Sequence, residues 1–282
     1  MSRLNHQWIS QLPIKNIKKL KPVSGGDINE AYQITTDSHQ YFMKVQPHKT
    51  AKYFGHEING LKAMSKAIRC PKPLYNGQIN GDAYLVLNWV NTGFQGSQAE
   101  LGQLVAKLHS QTNDRFGFVD NHETGALNKT NNWDDNWSRF YVEQRLEPEI
   151  DACEKLGRWN KWRQQHMDHM ISAFQNYYQE HSVVPSLCHG DLWSGNYMFD
   201  QDGHPLLIDP DAVYADREYD LAMTTIFGGF DSEFYQAYQQ TFPFDDGFRD
   251  RLQWYRFFYL CLHLILFGET YGGSVDAILG GF

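Results

Sequence analysis

Hydrophobic periodicity changes once along the 282-residue chain, and this change constrains the fold more than any single residue does. Before Asn88, short apolar runs alternate with turn residues. Residues 18–24, 30–36 and 40–46 read as strands, separated by Gly25-Gly26-Asp27 and Thr36-Asp37-Ser38. Residues 51–67 then carry Phe54, Ile58, Leu61 and Met64 at three- and four-residue spacing, an amphipathic helix closed by Pro71 and Pro73. Residues 83–87 form a compact apolar strand. From Ser97 onward the spacing is helical, over 99–110, 133–150, 154–181, 218–227, 232–240 and 247–267. Two short strands, 197–200 and 205–208, flank the turn at Asp202-Gly203. The expectation is an α+β chain in two parts. Residues 1–89 form an antiparallel sheet plus a helix, and residues 90–282 a larger, mostly helical part. No internal repeat or low-complexity linker divides it further.

Composition removes several classes of function. Lys plus Arg total 25 against 33 Asp plus Glu, a formal charge of −8. A general nucleic-acid binder needs a basic footprint, so nucleic acid is not expected as a partner. Phosphate binding stays open, because one basic residue or a bound cation reverses the local sign. Cys70, Cys153, Cys188 and Cys261 form no C-x-x-C pair, which excludes a zinc ribbon and a dithiol redox motif on spacing. They read as buried free thiols in a reducing compartment. The N-terminus lacks the apolar core of a signal peptide. The longest apolar stretch, 259–267, contains His263 and is too short to span a bilayer. A cytoplasmic protein with no membrane partner is expected.

The chemistry concentrates in His189-Gly-Asp-Leu-Trp-Ser-Gly-Asn196, a loop between an apolar segment and a strand. The hairpin that follows would bring Asp209, in Ile208-Asp-Pro-Asp211, back beside Asn196. Two oxygen-bearing side chains there suit Mg²⁺, which takes its remaining ligands from phosphate and water. Asp191 is then free to orient a substrate hydroxyl, the division of labour that phosphoryl transfer requires. Loop aspartates commonly only cap turns. The D-x4-N spacing, the hairpin and the second Asp together outweigh that reading. In the first part, Lys44 ends an apolar strand and Glu57 lies on the next helix, where it could fix the ammonium against nucleotide phosphates. Gly25 and Gly26 allow close approach to phosphate, a weak signal because any hairpin turn uses glycine.

Several segments together resemble the fructosamine-3-kinase (ketosamine-3-kinase) family. They are Ser24-Gly-Gly-Asp-Ile-Asn-Glu-Ala-Tyr32, Phe42-Met-Lys-Val45, Gln144-Arg-Leu-Glu-Pro-Glu-Ile150, the 189–196 loop, Ile208-Asp-Pro210, Arg217-Glu-Tyr-Asp-Leu-Ala-Met223 and Phe227-Gly-Gly-Phe230. The match runs nearly end to end. Related aminoglycoside and choline kinases share the H-G-D but usually not its Trp-Ser-Gly continuation. The resemblance implies a protein-kinase-like fold with ATP between two lobes. It implies Asp191 as catalytic base, Asn196 and Asp209 as Mg²⁺ ligands, and Lys44 on the α- and β-phosphates with Glu57 orienting it. Gly25 and Gly26 would cover the phosphates, and Asn88, Trp89 and Val90 would form the hinge that reads adenine. Asp220 would brace the catalytic loop, and His189 would be structural within it. The implied reaction is phosphorylation of the 3-hydroxyl of a ketoamine, a sugar adduct of an amine, of lysine or of a protein, which initiates deglycation.

Trp193, beside Asp191, suits stacking on a sugar or an amine stem, and equally suits anchoring the loop in the lobe. Asp27 stands where some relatives carry Cys, so no thiol switch is expected in that turn. Leu262 precedes His263 where relatives often have Asn, which bears on substrate preference. His166 and His169 read as an exposed polar face, His109 as a helix cap or packing residue, and Trp133, Trp137, Phe140 and Tyr141 as core, with Trp133 near the cleft. A kinase of another small alcohol (aminoglycoside, choline or homoserine) and a non-catalytic nucleotide-binding scaffold are the competing functions. Oligomeric state is not legible.

Overall fold

The computed structural model describes residues 4–23, 29–93, 95–124 and 127–282. The expected phosphate turn at Gly25 and Gly26 lies outside them.

A short helix α1 (His6–Ile9) precedes a five-stranded antiparallel sheet. Its strands are β1 (Lys19–Pro22), β2 (Glu30–Thr35), β3 (Gln40–Gln46), β4 (Pro73–Ile79) and β5 (Asp82–Asn88), in the order β1-β2-β3-β5-β4. Between β3 and β4 a 3₁₀ turn, Ala51–Phe54, leads into α2 (Gly55–Met64). Alternate residues on a strand face opposite sides. Met43, Val45, Tyr84 and Val86 pack with Trp8 and Leu12 on one face of the sheet, and Ala83, Leu85 and Leu87 with Phe54 and Leu61 on the other. β5 is buried on both faces, which is why it reads as an unbroken apolar run. Phe42 packs on the α2 side, so the parity of β3 turns Lys44 to that side as well.

β4 has no counterpart in the expected strands. It is an edge strand, largely exposed, that begins at Pro73 and contains Gly77. Proline at a strand's first residue is tolerated because an edge strand need not donate there. An apolar signal is absent because β4 buries little.

The rest is mostly helical: α3 (Gln98–His109), α4 (Trp137–Tyr141), α5 (Glu147–Lys155), α6 (Lys161–Glu180), α7 (Glu218–Thr224), α8 (Ser232–Thr241), α9 (Phe248–Phe267) and α10 (Gly272–Leu279). Small antiparallel ladders punctuate it. They pair β6 (His122–Thr124) with β7 (Leu127–Lys129), β8 (Ser186–Cys188) with β11 (Val213–Ala215), and β9 (Tyr197–Phe199) with β10 (Pro205–Leu207). One aromatic-rich core, including Trp137, Phe140, Tyr141, Tyr219, Tyr255 and Phe258, joins α3, α4, α7 and α9.

The helix expected over 133–150 is interrupted by a π turn at Val142–Leu146. Pro148 has no N–H to give the Gln144 carbonyl. Arg145 Nη1 donates to that carbonyl at 2.8 Å and to the Thr130 carbonyl at 2.7 Å. The bulge thus swings a buried guanidinium onto the strand end after β7. The helix expected to start at residue 154 instead starts at Lys161, with the Asn160 side chain as its cap. α10 and β11 were not expected. Cys153, Cys188 and Cys261 are buried free thiols as anticipated, and Cys70 is partly exposed. Cys153 and Cys261, distant in sequence, bring their sulfurs to 3.6 Å. Among the described residues, no helix is long and apolar enough to cross a membrane.

Candidate active site

Lys44 Nζ lies 2.9 Å from Glu57 Oε1 and 2.6 Å from Asp209 Oδ1, so strand β3, helix α2 and the segment after β10 meet at one buried ammonium. Burial opposes the charge on Lys44, but the two carboxylates outweigh it and hold its pKa above the ordinary lysine value. Burial pushes Glu57 upward, and Lys44 beside it only partly reverses this. Asp209 has a left-handed backbone (φ 55°), uncommon outside glycine, and its side chain keeps 45% of its exposure. It is the open member of the triad.

The 189–196 loop emerges from β8 and ends at β9. Asn196 Nδ2 donates to the Asp191 carbonyl and to Asp191 Oδ2, both at 2.8 Å. The Ile208 N–H donates to the Asn196 carbonyl at 3.0 Å, so the β9–β10 hairpin returns the Asp209 segment to Asn196. Burial raises Asp191 to about 6.

Beneath the loop the polar groups are saturated. Asp220, on α7 and fully buried, accepts from the His189 N–H at 2.5 Å and the Gly190 N–H at 2.8 Å. His109 Nε2 reaches the same carboxylate at 3.0 Å, and its Nδ1 meets the Tyr238 hydroxyl at 2.8 Å. His109 is therefore part of the brace under the loop, a role its sequence context does not reveal. His189 is fully buried, its Nε2 on the Ile208 carbonyl at 2.8 Å and its Nδ1 accepting the Asp191 N–H at 3.3 Å. Both ring nitrogens are occupied within the loop and its neighbour, which leaves no proton-accepting position for the substrate. The Tyr259 hydroxyl on α9 donates to the Gly190 carbonyl at 3.1 Å.

Gly190 has φ 85°, and a Cβ there would lie 1.7 Å from the Asp211 carbonyl oxygen, so only glycine fits. Gly229 packs against Ser194, and its carbonyl accepts from the Tyr197 hydroxyl at 2.6 Å, so the Phe227-Gly-Gly-Phe230 segment clamps the loop's far end. Trp193 is 39% exposed and lies over Gly195 rather than being buried in the lobe. Asn88 closes β5. Its Oδ1 accepts the Lys72 N–H at 2.6 Å, and its Nδ2 reaches the Trp89 carbonyl at 3.3 Å. Trp89 and Val90 follow on the stretch that leaves the sheet, both half-buried. Trp133 is also half-buried, its ring 6.1 Å from Tyr214. His263 faces Phe227 and Tyr271 at 4.7 and 5.0 Å between centroids.

The fructosamine kinase family model matches residues 1–281. A Lactiplantibacillus plantarum protein named "Probable ketoamine kinase" is 49% identical over 276 residues, 98% of each chain. The Arabidopsis thaliana chloroplastic protein-ribulosamine 3-kinase is 32% identical over 286 residues, 98% of this chain and 86% of its own. A solved Thermobifida fusca protein, provisionally assigned as a fructosamine-3-kinase, superposes with a TM-score of 0.83 at 24% identity, over 93% of this chain and 92% of its own. Aminoglycoside phosphotransferase APH(4)-Ia, solved with ADP and hygromycin B, superposes with a TM-score of 0.64 at 14% identity, over 93% and 94%. At those identities the two structures speak for the fold alone, which is protein-kinase-like. The chain belongs to the fructosamine kinase family and is a phosphotransferase.

Proposed function

We propose that the protein transfers the γ-phosphoryl group of ATP to the 3-hydroxyl of a ketoamine. The observation that carries this reading is the convergence of the Lys44–Asp209 ion pair with the Asp191–Asn196 loop across a single hairpin. Relatives named ketoamine kinase and ribulosamine 3-kinase supply the acceptor class, and the ADP-bound aminoglycoside phosphotransferase supports the nucleotide.

Asp191 accepts the proton of the sugar hydroxyl as its oxygen attacks the γ-phosphorus and ADP leaves. Asn196 spends its amide N–H on Asp191, which orients the carboxylate and leaves Asn196 Oδ1 as a ligand. With half-exposed Asp209 this gives the two oxygen donors that suit Mg²⁺, which neutralises phosphate charge when bound. Lys44 holds the α- and β-phosphates, with Glu57 fixing its position. Asp220 and His189 act on the loop and not on substrate. We place the nucleotide between lobes 1–89 and 90–282, with Asn88, Trp89 and Val90 at the hinge and Gly25 and Gly26 over the phosphates. The exposed indole of Trp193 offers a stacking face for the acceptor. The substrates are free or protein-bound glycated lysine. A cytoplasmic setting accords with the free cysteines.

The test is Mg·ATP turnover on ribulosyl-lysine, fructosyl-lysine, choline and an aminoglycoside. Ketoamine-dependent ADP release that Asp191→Asn abolishes is the expected result. Turnover of choline or the aminoglycoside alone would overturn the acceptor class and keep the site.

A further inference from the structure

Helix α2 carries Glu57 to Lys44, and its neighbour His56 ties the same helix to the other half of the chain. Successive helix residues point about 100° apart, so the two side chains leave α2 in different directions. His56 is buried, its Nδ1 2.8 Å from Asp120 Oδ1. One turn on, Asn59 Nδ2 donates to Asp120 Oδ2 at 2.8 Å. His56 Nε2 stands 3.3 Å from Asp211 Oδ1, an ion pair without hydrogen-bond alignment. Gly60 completes the contact. A Cβ there would lie 3.0 Å from Ala212 Cβ and from Pro210 Cγ, so the helix backbone rests directly on the segment that begins at Asp209.

The partners of each ring fix its charge. Arg145 Nη2 can only donate, and it meets Asn131 Oδ1 at 2.5 Å. The Asn131 amide nitrogen therefore faces His122 Nδ1, at 3.4 Å, and that ring nitrogen is the acceptor. His122 is then neutral, with its proton on Nε2, 2.6 Å from Asp211 Oδ1. Burial lowers the pKa of His122, in keeping with a neutral ring. His56 has a carboxylate at each nitrogen and is the imidazolium of the pair. Burial opposes its charge, but Asp120 and Asp211 outweigh it and hold its pKa above the ordinary histidine value. The charged ring stacks on the neutral one, with centroids 3.6 Å apart and planes 6° apart. Lys129 pairs with Asp211 Oδ2, so two cations, His56 and Lys129, match the two carboxylates Asp120 and Asp211.

We propose that His56 is a positioning residue for the nucleotide site: clamped between Asp120 and Asp211, it sets α2 against the Asp209 segment so that Glu57 presents Lys44 to the phosphates. Lys44 is shared by Glu57 on the helix and Asp209 on that segment, at 2.9 and 2.6 Å, so a shift of one against the other moves the ammonium. The inference rests on the reading of Lys44 as the phosphate contact and on nothing about the acceptor.

The experiment measures AMP-PNP affinity by calorimetry in Mg²⁺, with no acceptor present, for the wild type, His56→Gln, Lys44→Met and the double variant. His56→Gln keeps a polar side chain and loses the charge. It is expected to weaken binding about 3- to 30-fold, inside the range of coupling within one ion-pair network. In the Lys44→Met background the same change is expected to have no further effect, because His56 acts through Lys44. Asp120→Asn, which leaves His56 in place, gives a smaller loss with the same dependence on Lys44. Melting curves establish that each variant is folded, and Asp120→Asn carries the test if His56→Gln is not. Equal losses in both backgrounds, the mark of a role in folding alone, overturn the proposal, as does unchanged affinity in the folded variants. Lys44→Met that binds as tightly as wild type would overturn the reading of Lys44 itself, and the proposal with it.

Discussion

Asp220 and Asp209 serve the same loop and are treated in opposite ways. Asp220 has no exposed surface, and its two oxygens accept from two backbone N–H groups and a histidine. Asp209 keeps 45% of its side-chain exposure, sits on a left-handed backbone and pairs with Lys44. A saturated buried network holds geometry, because each of its members would be costly to leave unpaired. A carboxylate with spare lone pairs at an open position is available to a ligand. The difference separates the scaffold from the working face. It predicts that scaffold changes register in stability and working-face changes in rate.

The largest effect is expected at Asp191. Asp191→Asn should lower kcat about 10²- to 10⁴-fold, the usual contribution of a positioned base. Its melting free energy should stay within about 1 kcal/mol of wild type, since the amide oxygen can still accept from Asn196. A comparable loss of stability would break the comparison. Next comes Asp220→Ala, which strands two loop N–H groups and His109. It should cost about 3–5 kcal/mol in chemical denaturation. An Asp220→Ala protein that melts like wild type and loses only rate would reverse the assignment of roles.

Lys44→Met tests the working face more gently. Losing one charge-assisted contact to phosphate is worth about 1.5–3 kcal/mol, read as a fall in kcat/KM for ATP. An unchanged value would take Lys44 out of the nucleotide site.

The smallest effect sharpens the rule for buried charge. Glu149 on α5 is buried, neither of its oxygens has a hydrogen-bond partner among the described residues, and burial raises its pKa well above the usual 4.5. A carboxyl group raised on folding favours the folded state below its unfolded pKa and loses that advantage as pH climbs above it. Glu149→Gln, which mimics the protonated form, should leave stability unchanged near pH 4. It should gain stability as pH rises above the usual glutamate value, with a slope of at most about 1.4 kcal/mol per pH unit. A pH-independent difference in denaturation midpoints would show that Glu149 stays ionised.

Legibility in the sequence follows how locally each feature is encoded. The strands β2, β3 and β5 are short apolar runs bounded by turn residues, β5 an unbroken one, and such runs are visible in one dimension. β4 escaped because an edge strand starting at a proline and largely exposed has no apolar signature. The Asp191–Asn196 pair is a five-residue matter, and its hairpin partner Asp209 follows from one short turn. The pairing of Lys44 with Glu57 is suggested by strand parity and helix order. His109 is silent in sequence, since a histidine near a helix end usually caps it. Its role appears only when α3, α7 and α8 pack and place it between Asp220 and Tyr238. The two histidines that flank Asp211 are equally silent, because they come from separate elements with no shared motif.

What the sequence determines by itself is the change from strand to helix periodicity and the chemistry of the 189–196 loop. Both rest on interactions between residues within about a turn or a hairpin of one another. The tertiary structure alone decides which distant polar groups are saturated and which are left open. Asp220 becomes a brace because three donors from two elements reach it. Asp209 becomes available because, among the described residues, Lys44 alone reaches it. Asp211 gathers two imidazoles because α2 and β6 meet there. These outcomes depend on the packing of elements far apart in the chain. There the desolvation of each group, and not its place in a motif, sets whether it supports the fold or awaits a ligand.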